Sequence, residues 1–208
     1  MAKSRKHKKR AATPVTRVAA RKPKSLSPPA IAPSGEHSAP HASRPHIPGY
    51  GIEGEKDGHG LLPWSWAETR LARGWNYWLV TARPDGRPHM MPVWGLWWEG
   101  AFWFSTGEKT VKARNLGANP YCVVAPEGAA EAVIVEGQAE WVPASDSLKP
   151  LWAAYKKKYK WKMDGTGFFV LRPATVFGFI EKGDMFTKTA TRWRFSAHPP
   201  AAAGRALH

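Results

Sequence analysis

The stretch AFWFSTGEKTVKARNL combines hydroxyl and cationic side chains where a predicted strand gives way to a predicted helix. Ser105, Thr106 and Thr110 supply hydroxyl groups, while Lys109 and Lys112 supply positive charge. A helix N-terminus already carries partial positive charge and unpaired N–H groups, so added cations are unfavourable there unless an anion lies among them. The set therefore suits a phosphate ester. The alternative is an ordinary surface helix with solvated lysines, because the stretch contains no Gly-rich phosphate loop.

A proline lies inside the predicted strand RPHMMPVWG. The strand period puts Met91 and Val93 on one face, and Pro92 and Trp94 on the other. A proline removes one donor from a hydrogen-bond ladder, so Pro92 marks an edge, a bulge or a backbone that faces something other than another strand. A flat ring lying against that backbone is one possibility, and a bulge in a barrel is the other.

The remaining candidates offer little acid–base chemistry. Arg192 and Arg194 share one face of the predicted strand TRWRF, with Trp193 opposite, and the two arginines could bind an anion or pair with glutamates. His89 has no second ligand at metal spacing, so a structural role is favoured for it. No Ser/His/Asp, Cys/His or paired-carboxylate arrangement is recognisable. An anion site with aromatic surface and few catalytic side chains is typical of a protein whose chemistry belongs to a bound cofactor.

The composition changes after Leu61, and all twelve Trp lie beyond this point. Apolar periodicity in this part of the chain predicts the helices and strands that position the candidate residues. A short helix is predicted at PWSWAETRLARG, followed by a meander of strand-like runs separated by PDG and EG turns. The helix TVKARNLGAN, two more strands, an amphipathic helix at SDSLKPLWAAYKKKYK and three closing strands complete the pattern. Six or more strands with no βαβ rhythm predict a mainly β fold, an antiparallel barrel or half-barrel.

Most of the positive charge lies in an N-terminal segment. Residues 1–50 contain eleven Lys/Arg and one acid, and so account for +10 of the formal +15 of the 208-residue chain. Residues 1–60 have almost no large apolar side chains, so we predict a disordered basic tail there, a domain at 61–197 and a second disordered tail at 198–208. The tail is either a solvated extension or, through residues 1–24, a contact for nucleic acid or an anionic membrane surface.

The single cysteine, Cys122, lies in the predicted strand YCVVA, where a buried inert thiol is expected. One cysteine excludes an intramolecular disulfide and is typical of a reducing compartment, which predicts a cytoplasmic location. No apolar run approaches the roughly 20 residues needed to span a bilayer, and no secretory signal is recognisable at the N-terminus.

The run TARPDGRPHMMPVWGLWWEGAFWFSTGEKTVKARNLGANPYCVVAPEG, followed by AVIVEGQAEWV and TRWRF, resembles the pyridoxamine 5′-phosphate oxidase-like split β-barrel family. Within that family it is most similar to the flavin/deazaflavin oxidoreductases, whose cofactor is FMN or coenzyme F420. The resemblance covers about residues 61–196 and leaves out the basic tail. The Arg-Arg phosphate pattern and the C-terminal substrate motif of true pyridoxamine-phosphate oxidases are not found in full.

The resemblance implies a homodimer with cofactor sites at the subunit interface. Two groups of residues fall where the family binds phosphate and ring: Ser105, Thr106, Lys109, Thr110, Lys112 and Asn115 in the first, and Met91, Pro92, Val93 and Trp94 in the second. Arg192 and Trp193 fall on the closing strand, which approaches cofactor or substrate in the family. The implied function is hydride transfer to or from a small organic substrate. The alternatives are a non-catalytic protein that binds or stores a flavin-type or haem-like ligand, and a nucleic-acid-associated protein acting through its tail.

Overall fold

A computed structural model of the protein describes residues 39–53 and 59–196, and its strands follow the alternating apolar pattern of the sequence. The strands are His41–Ser43 (β1), His46–Ile47 (β2), Ile52–Glu53 (β3), Tyr77–Ala82 (β4), Pro88–Val93 (β5), Gly95–Trp98 (β6), Ala101–Phe104 (β7), Tyr121–Pro126 (β8), Glu131–Val142 (β9), Phe168–Ile180 (β10) and Thr191–Arg194 (β11). The helices are Trp64–Arg73 (α1), Val111–Ala118 (α2), Lys149–Tyr159 (α3) and Met185–Thr189 (α4), with 3-10 turns at Pro48–Tyr50 and Asp146–Leu148.

Nine strands form one antiparallel sheet that curls without closing. Neighbouring strands run in the order β1-β11-β10-β9-β8-β4-β5, and β10 also pairs with β7, which pairs with β6. The long β10 reaches both partners because Phe169–Leu171 pair with β7 while Thr175–Gly178 pair with β11. Strands β5 and β6 follow each other along the chain, yet they pair with different neighbours. The sheet therefore opens between them, beside Trp94.

The core fills the inside of this sheet and continues under α3. One cluster of buried side chains joins the strands to α1 and α2, and includes Tyr77, Phe102 and Trp193. A second cluster packs the apolar face of α3, including Tyr155 and Tyr159, against β6 and the start of β10. Helix α3 is thereby held against the open side of the sheet.

The predicted mainly β fold is confirmed, and the predicted helices and strands after Leu61 are present. Two closing strands predicted as separate runs are the single strand β10, which bends at a register shift between Pro173 and Thr175. Helix α4 was not predicted, because its five residues are too few to show a periodic pattern.

The predicted tail boundary at residue 60 needs correction. Strand β1 extends the main sheet by pairing with β11, and Arg44 is buried and donates hydrogen bonds to the backbone carbonyls of Thr187 and His59. Strand pairing and these charge-assisted bonds hold a segment that has little apolar surface of its own. The predictions for residues 1–24 and 198–208 lie outside the described residues. Among the helices of the described ranges, none has the length and apolar character to cross a bilayer.

Candidate functional site

A cleft of about 360 Å³ lies at the opening of the sheet, within the range of small-molecule sites. The side chains that line it come from both sequence stretches singled out above and from two further elements: Asn76, Pro92, Val93, Trp94, Ser105, Thr106, Lys112 and Tyr155. The hydroxyl and lysine groups of the strand-to-helix corner therefore share one cavity with the proline-bearing strand. Between these stretches the chain makes the whole β6–β7 hairpin, so only the fold brings them together.

The polar part of the cleft is the corner between β7 and α2. Ser105 and Thr106 follow the last residue of β7, and Lys112 lies in the first turn of α2. Thr110 is the N-cap of this helix, because its hydroxyl accepts a hydrogen bond from the Ala113 backbone N–H at 3.3 Å. Its hydroxyl also lies 3.1 Å from that of Thr106. Two hydroxyls, a lysine and a helix N-terminus together form a set of donors for an anion.

The apolar part is dominated by Trp94, which is fixed on several sides but remains 38% exposed. Its ring stacks on Tyr159, with centroids 4.8 Å apart and planes 8° from parallel. Its indole N–H donates to the Asn76 side-chain carbonyl at 3.2 Å, and the Asn76 amide donates to a Glu127 carboxylate oxygen at 2.8 Å. A tryptophan held in this way is a preorganised surface for a flat apolar group.

A polar network lies directly behind this wall and was missed from the sequence. The Tyr159 hydroxyl accepts from the Gly95 backbone N–H at 2.9 Å and lies 2.8 Å from the Gly95 and Trp75 carbonyl oxygens. Lys158 Nζ donates to the Tyr77 hydroxyl at 3.0 Å and to the Gly95 carbonyl at 2.9 Å. Burial lowers the pKa of Lys158 to about 7. The one sequence signal for this network is apolar periodicity, which puts Tyr155 on the apolar face of the amphipathic helix predicted at SDSLKPLWAAYKKKYK; Tyr159 follows one turn later.

Four of the predicted phosphate or ring residues do not line the cleft, and one of them, Thr110, caps α2 beside it instead. Lys109 is exposed in the loop before α2, and Met91 is 41% exposed on β5. Asn115 is buried and donates from its side-chain amide to the Thr81 hydroxyl at 2.9 Å, which joins α2 to β4. This contact gives Asn115 a supporting position beneath the polar corner.

Arg192 and Trp193 are not brought to the cleft either. The Arg192 guanidinium donates to the Ser43 hydroxyl at 3.0 and 3.2 Å, which ties β11 to β1. Trp193 is completely buried and packs edge-on against Trp64, with centroids 5.5 Å apart. The predicted ligand contact of Trp193 conflicts with this position, because no surface of its ring is available. The strand period correctly put it opposite Arg192 but could not show that its face points into the core.

The donor set of the cleft does not suit a resident metal ion. In the described ranges, no group of three or more His, Cys, Asp or Glu side chains is arranged to hold one. The lining instead has one lysine, the hydroxyls of Ser105, Thr106 and Tyr155, and the flat ring of Trp94, which fits a phosphate-bearing planar molecule.

Comparison with known families identifies the family of this chain. The family model described as pyridoxamine 5′-phosphate oxidase matches residues 76–179, which is half of the chain and includes every residue that lines the cleft. The chain therefore belongs to this family. No curated protein sequence matches it.

Solved structures share the fold at low sequence identity. A conserved hypothetical protein from Mycobacterium tuberculosis is 19% identical with a TM-score of 0.54, over 62% of this chain and 91% of that one. An F420 reductase is 24% identical with a TM-score of 0.44, over 58% and 96% of the two chains. A heme binding protein from Mycobacterium smegmatis is 24% identical with a TM-score of 0.48, over 57% and 54%.

The N-cap at Thr110 generates a prediction about the polar corner. We expect Thr110→Ala to lower the free energy of unfolding by about 1 kcal/mol, because one backbone N–H of α2 loses its partner. Thr69→Ala is the matched control: its hydroxyl bonds to the Ser65 carbonyl within α1, where alanine is a better helix former. Urea denaturation of both variants measures the difference, and equal stabilities would show that Thr110 does not cap the helix.

Proposed function

We propose that the protein is an oxidoreductase that binds FMN or the deazaflavin coenzyme F420 in the cleft between β5, β7 and α2. The observation that carries this proposal is the meeting of two unlike surfaces in one cavity, a cationic hydroxyl-bearing corner and a flat wall formed by Pro92, Val93 and Trp94. Both cofactors join a phosphate to a planar ring system, so each end has a matching surface.

The corner is suited to the phosphate end. Lys112 is partly buried and lines the cleft with Ser105 and Thr106, and none of the ion pairs in the described ranges includes it. A lysine in this position can give its charge to a ligand, since no acidic side chain competes for it. The hydroxyls supply shorter-range donors, which orient the phosphate oxygens.

The wall is suited to the ring end. Pro92 leaves the backbone of β5 without one N–H, so a flat surface can approach there without burying an unpaired donor. The fixed ring of Trp94 and the side chain of Tyr155 line the same cavity as Pro92. These residues bind and orient the ring, and their packing excludes water from one side of it.

The bound cofactor would supply hydride transfer to or from a small organic substrate. The lining contains no His, Cys, Asp or Glu, so the protein's contribution is the positioning of cofactor and substrate. A non-catalytic protein that stores the same ligand would need the same two surfaces, and turnover distinguishes the two.

Removal of the Lys112 charge tests the binding site. We expect Lys112→Ala to weaken the binding of FMN or coenzyme F420 by about 10- to 100-fold, because a charge-assisted contact contributes about 1.5–3 kcal/mol. Each ligand is titrated separately by fluorescence. Lys182→Ala, an exposed lysine outside the lining, is the control and should bind like the wild type. Unchanged affinity of Lys112→Ala for both ligands would remove Lys112 from the site.

Turnover is tested with the reduced cofactor on the wild-type protein. We expect the absorbance of bound reduced FMN or F420 to change to that of the oxidised form when a suitable electron acceptor from a screen of small quinones, nitroaromatics and enones is added without oxygen. The control is the free reduced cofactor with the same acceptors. A bound cofactor that stays reduced with every acceptor, while the free cofactor reacts, contradicts catalysis and favours storage.

We also propose that the protein is a homodimer, as is typical of this family. The outer face of strands β5, β4 and β8 carries Met90, Pro92, Trp78, Val80 and Tyr121, with Trp78 39%, Met90 52% and Tyr121 62% exposed. A contiguous apolar face of this kind is unusual on a monomer. Pro92 belongs both to this face and to the cleft, so a second copy seated on the face would cover the open side of the cleft.

A charge placed on this face tests the dimer. We expect Met90→Glu and Tyr121→Glu each to shift the protein from dimer to monomer, because a carboxylate would be desolvated in the interface. Tyr50→Glu is the matched control, since Tyr50 is 67% exposed and lies outside the three strands. Sedimentation equilibrium measures the mass, and a wild-type monomer at all concentrations would contradict the proposal.

A cytoplasmic location is proposed from the cysteine alone. Cys122 is buried and unpaired in the described structure, and burial raises the pKa of its thiol to about 12. A thiol with a raised pKa is unreactive, because the thiolate is the reactive form. A protein without disulfides is typical of a reducing compartment such as the cytoplasm.

A further inference from the structure

Lys158 is a half-buried lysine beside the cleft that belongs to none of the surfaces described above. Its ammonium touches neutral groups: the Tyr77 hydroxyl at 3.0 Å and the Gly95 carbonyl at 2.9 Å. It also lies 4.9 Å and 5.0 Å from the ring centroids of Tyr77 and Tyr159. None of the six ion pairs in the described ranges includes it. A partly buried ammonium without a carboxylate is costly, and such residues mark functional sites more often than surface lysines do.

The neighbours of Lys158 connect it to the lining of the cleft from three directions. Its two hydrogen-bond acceptors, Tyr77 and Gly95, are the residues next to Asn76 and Trp94, which line the cleft. Tyr155, which also lines the cleft, lies three residues earlier on α3, so it occupies the same face of the helix. The ammonium therefore contacts residues that directly follow lining residues in the chain, and it is not itself part of the lining.

The titratable groups that face Lys158 leave its charge uncompensated. Strand β4 contributes Tyr77, and α3 contributes Tyr155 and Tyr159; burial raises the pKa of all three phenols, so they stay neutral. Strand β6 contributes only the Gly95 backbone. Glu127, after β8, is the nearby carboxylate that acts on Tyr77 and Tyr159, and its hydrogen bond goes to Asn76.

We propose that Lys158 is a second cation of the ligand site, and that the protein takes up a proton on this lysine when an anionic ligand binds in the cleft. This inference rests on the proposed function, because it concerns the same cleft. Lys112 meets the phosphate directly, whereas Lys158 acts through the low-dielectric wall between it and the ligand.

The direction of the pH dependence follows from linkage. In the free protein the pKa of Lys158 is lowered to about 7, because burial disfavours the charged form. A bound anion raises that pKa again, since an opposite charge favours the ammonium. Below pH 7 the lysine is charged in both states, and ligand affinity is highest. Above pH 7 the free protein has lost the proton, so binding takes it up and affinity falls as pH rises towards the pKa of the complex.

Calorimetry in two buffers of different ionisation enthalpy measures the protons directly, with FMN and coenzyme F420 as probes. At about pH 8 we expect the wild type to take up about 0.4 proton per ligand, because a tenfold effect on affinity corresponds to a Lys158 pKa that rises from about 7 to about 8 on binding. Lys158→Arg should bind with similar affinity at about pH 6 but take up almost none, because guanidinium stays charged. Lys158→Met should bind about tenfold more weakly at about pH 6 and lose the pH dependence. Riboflavin, which lacks the phosphate, should cause less uptake than FMN.

Lys157→Met is the matched control, since Lys157 is an exposed lysine on the same helix and should behave like the wild type. If Lys158→Met does not fold, Lys158→Arg decides alone. Binding by the wild type without proton uptake, or the same uptake in Lys158→Arg, overturns the inference and leaves the proposed cofactor site intact. Binding of neither probe by the wild type overturns the proposed function and this inference with it.

Discussion

The close approach of the chain to itself at Gly95 is the constraint on which the cleft depends. A Cβ atom at this position would lie 2.2 Å from the Phe102 ring and 2.8 Å from the Trp103 carbonyl oxygen, so only glycine lets β6 begin here. The Tyr159 hydroxyl accepts from the Gly95 N–H, and Lys158 donates to the Gly95 carbonyl. One residue is thus held by β7 on one side and by α3 on the other. Because Trp94 directly precedes it, the position of the aromatic wall follows from this contact.

The polar corner is held by a separate set of interactions. Strand β7 is paired on both sides, with β6 and with β10, and so fixes the chain that leads into Ser105. The cap at Thr110 and the bond from Asn115 to Thr81 then fix the direction of α2. The two ends of the cleft are therefore set by different elements. A ligand that touches both must match a distance that the sheet determines, which favours an extended molecule over a simple anion.

The sequence predicts this structure where the signal is local. Strands such as β8 and β9 follow from alternation, α2 from its cap and its stop before Pro120, and the breaks from glycine and proline. The corner and the proline-bearing strand were predicted residue by residue, and Ser105, Thr106, Lys112, Pro92, Val93 and Trp94 line one cleft.

What the sequence could not predict depends on contacts between distant residues. Lys158 lies within a run of lysines. Only its hydrogen bonds to Gly95 and Tyr77, which are 63 and 81 positions earlier in the chain, distinguish it from its solvated neighbours. Trp193 was predicted to contact the ligand but is buried in the core. Alternation along the strand shows which face of the sheet Trp193 is on, but it cannot show that α1 covers that face. Strand β1 has no apolar signal, since its place comes from the free edge of β11. In each case tertiary packing decided the role of a residue whose type was uninformative.

The distribution of charge follows from the same packing. The six ion pairs of the described ranges, such as Arg70 with Glu131 and Arg172 with Glu140, neutralise cations on the outer surfaces, and none of their residues lines the cleft. Lys112 and Lys158 have no such partners there, although the domain contains enough acids to supply them. Glu127 lies near enough to influence Tyr77 and Tyr159, yet its hydrogen bond orients Asn76 instead. Lys112, together with Lys158 when that lysine is protonated, leaves uncompensated positive charge beside the fixed ring of Trp94, and an anionic, planar molecule would compensate that charge.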